Sequence, residues 1–289
     1  MPYNINIEEE TIYFNNKAKE YLLMIQNEYN NVLPPQTKDK IASLINDNIV
    51  ILEENHNKYV ENQTQIGELE SLKELPSAHG GKVFNDQKIH IYLNKFSSFN
   101  RNTIESIIIH ELFHYLISPI YSNNISKDEN SFLTEGLVDM YAIKFMQKNE
   151  IFPEYNSNYA RNIIFIREKL LNLQDEKTIE LLSFNGSMDQ IIQNTSSSLE
   201  EFKNDLYLAT NNQTKFDNLL NNIASLLPNH KEHFIRAMLR MSSRVNSLEE
   251  ALSTILSSMN EIDELTTYVP NVEKLINEYL YFEKSKKIS

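Results

Sequence analysis

Residues 110–114 read His-Glu-Leu-Phe-His, which places two histidines four positions apart in a segment whose flanks favour a helix. A helix turns about 100° per residue, so residues four apart lie on one face, about one turn from each other. The neighbouring residues are apolar on nearly every side of that helix, which predicts a central, buried position. Because buried imidazole and carboxyl groups need polar partners, His110 and His114 are predicted to share one.

A divalent metal ion would satisfy both imidazoles at once. Zinc binds neutral imidazole nitrogen, takes about four ligands, and in catalytic sites leaves one position open to water. Glu111 follows the first histidine, where its carboxylate could take a proton from that water. The alternative is that both histidines are ordinary core or surface residues that bind no metal.

Two acidic residues downstream offer a third ligand and a supporting contact. Glu135 and Asp139 are four positions apart in residues 131–147, whose apolar residues recur with a helical period, so the two carboxylates share one face. Glu135 would complete a site of two histidines and one carboxylate. Asp139 could accept the second N–H of His110 and thereby fix the orientation of its ring.

Asp128 and Glu129 compete with Glu135 for the role of third ligand. They lie in residues 120–130, a polar stretch that predicts a surface loop. A loop positions a ligand less firmly than a buried helix does, so Glu135 is the favoured third ligand.

With these residues the chain resembles the gluzincins, the zinc peptidases related to thermolysin and aminopeptidase N. That family carries His-Glu-x-x-His on one helix and a glutamate ligand on the next, and its thermolysin branch has an aspartate four residues after that glutamate. Thr134-Glu135-Gly136 is similar to the Asn-Glu-Gly of aminopeptidase-like members, with Thr134 in place of the frequent asparagine. The resemblance covers about residues 80–150.

The helical periodicity of most of the chain, together with the strand-like residues 88–93 and this resemblance, predicts an α+β fold that is mostly helical. A small antiparallel sheet with an edge strand would lie beside the His-Glu-x-x-His helix and the glutamate helix, and a helical C-terminal subdomain would follow. One zinc ion per chain would be held by His110, His114 and Glu135, with Glu111 as the general base and Asp139 as the supporting contact.

The boundaries of the first motif helix can be predicted from its flanks. Asn102 and Glu105 have the spacing of a capping box, which places the start of the helix near residue 103. Ser118-Pro119 ends it, because proline does not continue a helix. The metzincin pattern, which extends the motif with a glycine and a third histidine, does not fit, since Ile117 and Ile120 occupy those positions.

Residues 88–93 alternate in the way that is typical of a half-buried strand. Val83-Phe84 is the candidate hairpin partner across residues 85–87. In gluzincins an edge strand above the zinc binds the substrate backbone by β-augmentation, and the resemblance implies this role for residues 88–94. His90 itself is predicted to be an exposed strand residue rather than a ligand. The substrate-binding candidates are therefore Ile89, His90, Ile91 and Tyr92.

Composition excludes several classes of protein. A net charge of −13 and a pI near 5.1 argue against nucleic acid or an anionic membrane surface as the main partner. With no cysteines the chain has neither disulfides nor a cysteine zinc site. No apolar run is long enough to span a membrane. The first residues lack a signal-peptide pattern, which predicts a cytoplasmic protein unless a leader has been removed.

Three segments are predicted along the 289 residues. Residues 1–76 form an N-terminal helical segment, residues 77–153 the zinc-binding core, and residues 154–289 a helical C-terminal subdomain. The first segment reads as two helices, one ending near Val32 and one running from about residue 37 to 62. In the last segment, the predicted helices lie near residues 158–173, 198–210, 213–226, 229–243, 246–258 and 270–285.

The leading hypothesis is a hydrolase, a zinc metallopeptidase acting on peptide or protein substrates. An endopeptidase is favoured over an aminopeptidase, because residues 79–88 offer only Asp86 to bind a free amine. The donor that would stabilise the oxyanion is not assigned; the candidates are Tyr155, Tyr159, Tyr207, His230 and His233. Two alternatives remain open: a regulatory or toxin-like protease dedicated to one partner protein, and a non-catalytic helical interaction protein. The sequence does not predict the oligomeric state.

Overall fold

The computed structural model describes residues 5–53, 81–83, 88–93, 99–117, 122–151, 160–171, 176–186, 188–195, 199–227 and 245–287. These residues are mostly helical, with one small sheet, which confirms the predicted mostly helical α+β class. The chain divides into an N-terminal unit (Met1–Leu116 and Phe145–Tyr155) and a C-terminal unit (Ile117–Lys144 and Asn156–Ser289). The boundaries predicted after residues 76 and 153 lie outside the described ranges, so the three-segment division stays a prediction.

The N-terminal unit begins with helices α1 (Ile7–Glu28) and α2 (Pro35–Ile45). The side chain of Asn6 caps α1 by accepting the backbone N–H groups of its first turn. The second helix was predicted to continue to residue 62, and this is wrong, because strand β1 (Val50–Glu53) follows α2. Val50 and Ile51 are β-branched and favour a strand.

A buried asparagine fixes the start of β1. Asn15 of α1 donates from Nδ2 to the carbonyl oxygen of Val50 at 2.8 Å and accepts the N–H of Val50 at 2.9 Å. Its amide therefore takes the place of a neighbouring strand and satisfies both backbone groups of one residue. This contact joins the first helix of the unit to its sheet.

The sheet has the strand order β1-β3-β2, where β2 is Gly81–Val83 and β3 is Ile89–Tyr92. β1 runs parallel to β3, and β2 runs antiparallel to it, with Val83 opposite Ile89 as the hairpin prediction requires. The predicted antiparallel hairpin is confirmed, whereas the parallel pairing of β1 with β3 corrects the prediction of an antiparallel sheet. A parallel pair needs a long connection, and here the connection between β1 and β3 includes β2.

Helix α3 (Arg101–Leu116) carries the motif histidines and is central to the N-terminal unit. Twelve of its sixteen residues are buried, as the apolar pattern predicts. The predicted capping box is wrong: Asn100 is the cap, and its Oδ1 accepts the N–H groups of Asn102 at 2.9 Å and Thr103 at 3.5 Å.

Glu105 does not form the predicted capping box; instead it connects α3 to α1. The residue is only 7% exposed, and its carboxylate accepts hydrogen bonds from the hydroxyl groups of Tyr13, at 2.6 Å, and Tyr21. Burial, together with the hydrogen bond to Glu105, raises the pKa of Tyr13 to about 12. The same causes raise the pKa of Tyr21, so both phenols stay protonated donors at neutral pH.

We expect Glu105→Leu to lower the free energy of unfolding by about 1–3 kcal/mol, because the buried hydroxyl of Tyr21 loses its acceptor. Chemical denaturation followed by circular dichroism measures this. The matched control is Glu20→Leu, an exposed site on α1, where surface substitution changes stability by about 0.5 kcal/mol or less. Equal losses in the two variants would show that Glu105 does not anchor the helix.

Helix α4 (Lys127–Lys148) carries Glu135 and Asp139. It begins with a capping box in which Ser126 N–H donates to Glu129 Oε2 at 2.6 Å and Glu129 N–H donates to Ser126 Oγ at 3.2 Å. The predicted loop over residues 120–130 therefore ends early, at residue 126. One continuous helix supplies residues up to Lys144 to the C-terminal unit and the rest to the N-terminal unit.

Helices make up the rest of the described C-terminal unit. One helix over residues 199–226 replaces the two helices predicted over residues 198–226. The helices over residues 176–185 and 188–195 were not predicted, and residues 229–243 lie outside the described ranges. No described helix is long and apolar enough to cross a membrane. The elements are α5 (Ala160–Ile166), a π-helix (Arg167–Leu171), α6 (Glu176–Asn185), α7 (Met188–Thr195), α8 (Leu199–Leu226), α9 (Leu248–Asn260), a 3₁₀ helix (Asp263–Tyr268) and α10 (Val269–Lys287).

Candidate metal centre

The two motif histidines of α3 bring their ring nitrogens together. His110 Nε2 and His114 Nε2 are 3.1 Å apart, and the two ring planes meet at 72°. Two nitrogens bound to one tetrahedral zinc at about 2.0–2.1 Å would be roughly 3.3 Å apart. The observed spacing is close to that expected for a shared ion, and it equally allows a hydrogen bond between the two rings.

Glu135 of α4 joins this pair. One ligand atom from each of His110, His114 and Glu135 lies within 4.8 Å of the other two. His110 is buried, and the other two side chains are half-buried. Within the described residues, this is the only group of three or more histidine, cysteine or acidic side chains spaced to hold a metal.

The donor set fits zinc. Two imidazole nitrogens and one carboxylate oxygen make up one of the common ligand sets of catalytic zinc sites, and they leave a coordination position open. The three residues predicted as ligands are the three that the structure places together. Catalytic zinc sites take three ligands from the protein and structural sites four; the described residues supply three.

Glu111 is positioned beside this group by the helix alone. It is three residues before His114, and residues three apart are neighbours on a helix surface. Its side chain is buried, so its carboxylate lies in a region with little bulk water. Its role as the general base stays a prediction.

Asp139 follows Glu135 by one turn on the same face of α4. Its side chain is 0% exposed, and a buried carboxylate requires hydrogen-bond partners. Its predicted contact with His110 stays a prediction. Because residues 135–139 belong to one regular helix, any shift of Glu135 would also shift Asp139.

Glu129 and Asp128, the two alternative candidates for the third ligand, have other positions and contacts. Glu129 is engaged in the capping box with Ser126, and Asp128 is exposed on the first turn of α4. Neither belongs to the group that could hold a metal. This favours Glu135 as the third ligand.

Gly136, next to Glu135, has a role that the sequence pattern did not reveal. A Cβ atom at this position would lie 2.5 Å from Cδ1 of Ile166 and 2.8 Å from Cβ of Asn162, both on α5. Close by, Asn162 Nδ2 donates to the backbone oxygen of Phe132 at 2.8 Å. Glycine at 136 therefore allows α4 and α5 to pack closely just beside the ligand.

We expect Gly136→Ala to lower stability by about 1–3 kcal/mol, the usual cost of overpacking, and to weaken zinc binding. The reason is that α4 must move away from α5 and take Glu135 with it. Thermal denaturation and zinc titration measure the two effects. Ser131→Ala, at an exposed position of α4, is the control. A Gly136→Ala variant as stable as this control, with unchanged zinc affinity, would contradict the packing role.

The residues predicted to bind the substrate backbone do not lie on an edge strand. β3 is the central strand, and β1 and β2 pair with it on either side. It has no open edge for a peptide, so the predicted β-augmentation on this strand is wrong. The predicted exposure of His90 is also wrong, since the residue is only 4% exposed. The residues concerned, all buried, are Ile89, His90, Ile91 and Tyr92.

The oxyanion donor is not identified by the described residues. Tyr207 on α8 is 58% exposed, and nothing in its surroundings marks it as a catalytic donor. The other candidates, Tyr155, Tyr159, His230 and His233, lie outside the described residues. We therefore assign no residue as the donor to the oxyanion.

Comparisons with known proteins identify no relative. No protein-family model, no curated protein and no solved structure matches this chain. The resemblance to gluzincins therefore depends on the motif residues, and any function assigned to the site depends on their geometry.

Proposed function

We propose that this chain is a zinc-dependent peptidase of the gluzincin type. The observation that supports the proposal is that His110, His114 and Glu135, selected by sequence pattern, have ligand atoms within 4.8 Å of one another. His114 and Glu135 are separated by twenty intervening residues, so helical periodicity alone does not bring them together.

The chemistry of the site divides between the ion and the side chains. When bound, zinc acts as a Lewis acid that polarises a carbonyl group and makes water more acidic. His110 and His114 bind as neutral imidazoles, and Glu135 adds one negative charge. Glu111 accepts the proton of the attacking water and returns it to the leaving amine.

Asp139 has a positioning role in this proposal. A carboxylate that accepts the second N–H of a ligand histidine fixes its tautomer, so the other nitrogen remains available to the metal. Because Asp139 and Glu135 are on one turn of α4, the same helix would orient two of the three ligands. The substrates proposed are peptide or protein chains, with an endopeptidase favoured over an aminopeptidase.

The proposal is tested by the metal content of the purified protein, measured by mass spectrometry after zinc loading and dialysis. We expect about one zinc per chain in the wild type and a large loss in Glu135→Ala. Asp128→Ala, which removes an exposed carboxylate from the same helix, is expected to retain the zinc. A wild type without zinc, or equal zinc in all three proteins, would overturn the proposal.

A further inference from the structure

The turn of α4 that carries Glu135 is held by a side chain from another helix, that of Asn162 on α5. The Nδ2 group of Asn162 donates to the backbone oxygen of Phe132 at 2.8 Å. In a regular α-helix that oxygen also accepts the N–H of the residue four positions later, which here is Gly136. Phe132 and Gly136 are therefore the two ends of one turn, and Glu135 lies between them.

Asn162 also contacts the second end of this turn. A Cβ atom at Gly136 would lie 2.8 Å from Cβ and 3.1 Å from the backbone carbonyl carbon of Asn162, so the two backbones approach closely here. Beside this contact, the rings of Phe132 and Phe165 pack edge to face, with their centroids 5.7 Å apart. All of these residues belong to the C-terminal unit. The turn that carries Glu135 is thus fixed to α5 at both of its ends.

The amide of Asn162 contributes little to the stability of the fold. The residue is only 1% exposed, and within the described residues its Oδ1 atom has no hydrogen-bond partner. A buried carbonyl group without a partner costs as much free energy as one neutral hydrogen bond contributes, or more. The oxygen of Phe132 would keep its helical partner if the amide were absent. An apolar side chain at 162 would therefore stabilise the packing about equally well.

The amide does provide a fixed distance between α5 and the turn of α4. A hydrogen bond holds nitrogen and oxygen about 2.7–3.2 Å apart, whereas a carbon atom approaches a carbonyl oxygen only to about 3.3–3.6 Å. The difference is comparable with the tolerance of about 0.5 Å within which the groups of a functional site must be placed. Replacing the amide would therefore displace the backbone at Glu135 by an amount that matters to a metal ligand.

We propose that Asn162 is a positioning residue for Glu135, the third zinc ligand. This inference rests on the proposed function, because it assigns Asn162 to the same metal centre. Asn162 acts through the turn that begins at Phe132 and ends at Gly136, without itself being a ligand. A residue that stabilises the fold poorly but fixes a distance is explained by this role, and α5 then belongs to the support of the metal centre.

The test compares zinc affinity with the stability of the metal-free protein in the same full-chain variants. Asn162→Leu replaces the amide with an apolar side chain of the same branching, and Asn162→Ala removes the amide without adding bulk. Competition with a chromophoric chelator gives the Kd for zinc, and chemical denaturation of the metal-free protein gives its stability. We expect both variants to bind zinc more weakly than the wild type by about tenfold or more, as changes in the residues that orient metal ligands generally do.

Stability is expected to change differently in the two variants. Metal-free Asn162→Leu is expected to unfold at nearly the same denaturant concentration as the wild type, because the loss of the hydrogen bond is offset by removal of the unsatisfied Oδ1. Asn162→Ala is expected to unfold earlier, because it leaves a cavity. Zinc affinity should therefore follow the amide and not the stability. The absorption spectrum of the cobalt(II)-loaded protein, which reports coordination geometry, is expected to change in Asn162→Leu.

Asn149→Leu is the matched control. Asn149 Nδ2 donates to the backbone oxygen of Phe145 at 2.8 Å, more than three turns along α4 from Phe132. This variant therefore loses the same kind of bond to the same helix, and its zinc affinity is expected to equal that of the wild type.

Three results would overturn the inference and leave the proposed function standing: unchanged zinc affinity and cobalt spectrum in Asn162→Leu, a loss of affinity in Asn162→Ala alone, or an equal loss in Asn149→Leu. The second would mean that zinc affinity follows the stability of the fold. A wild type that binds no zinc would overturn the proposed function, and this inference with it.

Discussion

Replacement of Glu111 by glutamine is expected to leave about one zinc per chain and to lower kcat/KM for peptide hydrolysis by about 10²- to 10⁴-fold. Glutamine has nearly the same shape as glutamate, so α3 and its buried surroundings are retained. It cannot accept a proton from water, so general-base catalysis is lost. The ligands His110 and His114 are unchanged, which separates metal binding from proton transfer.

Hydrolysis of a mixed oligopeptide library, followed by mass spectrometry, measures this effect without a known substrate. Asp128→Asn is the matched control, because it makes the same carboxylate-to-amide change at an exposed position. Its activity is expected to equal that of the wild type. Full activity in Glu111→Gln, with zinc bound, would rule out Glu111 as the general base.

Removal of the metal is expected to lower the melting temperature of the wild type by several degrees. At the proposed site zinc would bind the folded chain, in which His110, His114 and Glu135 are assembled, and the unfolded chain lacks that assembly. Free zinc at about 100 times its Kd contributes about 2.7 kcal/mol to stability, and each kcal/mol shifts the melting temperature of a unit of 150–250 residues by about 2–4 °C.

Calorimetric melting with and without a chelator measures this coupling. In His114→Ala the chelator is expected to have little effect, because one ligand is already missing. In Asp128→Ala the shift is expected to match that of the wild type. The same melting temperature for chelated and zinc-loaded wild type would mean that the ion does not bind preferentially to the folded chain.

The parts of the fold that were predicted from sequence are those that depend on local periodicity. α3 and α4 follow from apolar residues recurring at helical spacing, which also places His110 with His114 and Glu135 with Asp139 on common faces. The end of α2 was missed because Ile49 and Leu52 fit both a helical stripe and a strand. Short apolar stretches do not distinguish the two.

The features that were missed depend on partners distant in sequence. Glu105 was assigned to a capping box by its spacing from Asn102, whereas its actual partners, Tyr13 and Tyr21, are 92 and 84 residues away. β3 was assigned to a sheet edge, yet β1, some 40 residues earlier, pairs with it in parallel. Likewise, the need for glycine at 136 comes from α5, a contact that no local pattern contains.

The burial of α3 has an evolutionary consequence. With twelve of sixteen residues buried, most single substitutions in this helix change either packing or the polar groups at its centre. Neutral drift is therefore expected to concentrate in its exposed first turn, at Arg101 and Asn102. The last three turns are expected to change slowly whether or not the helix binds a metal, because packing in the core restricts substitution there.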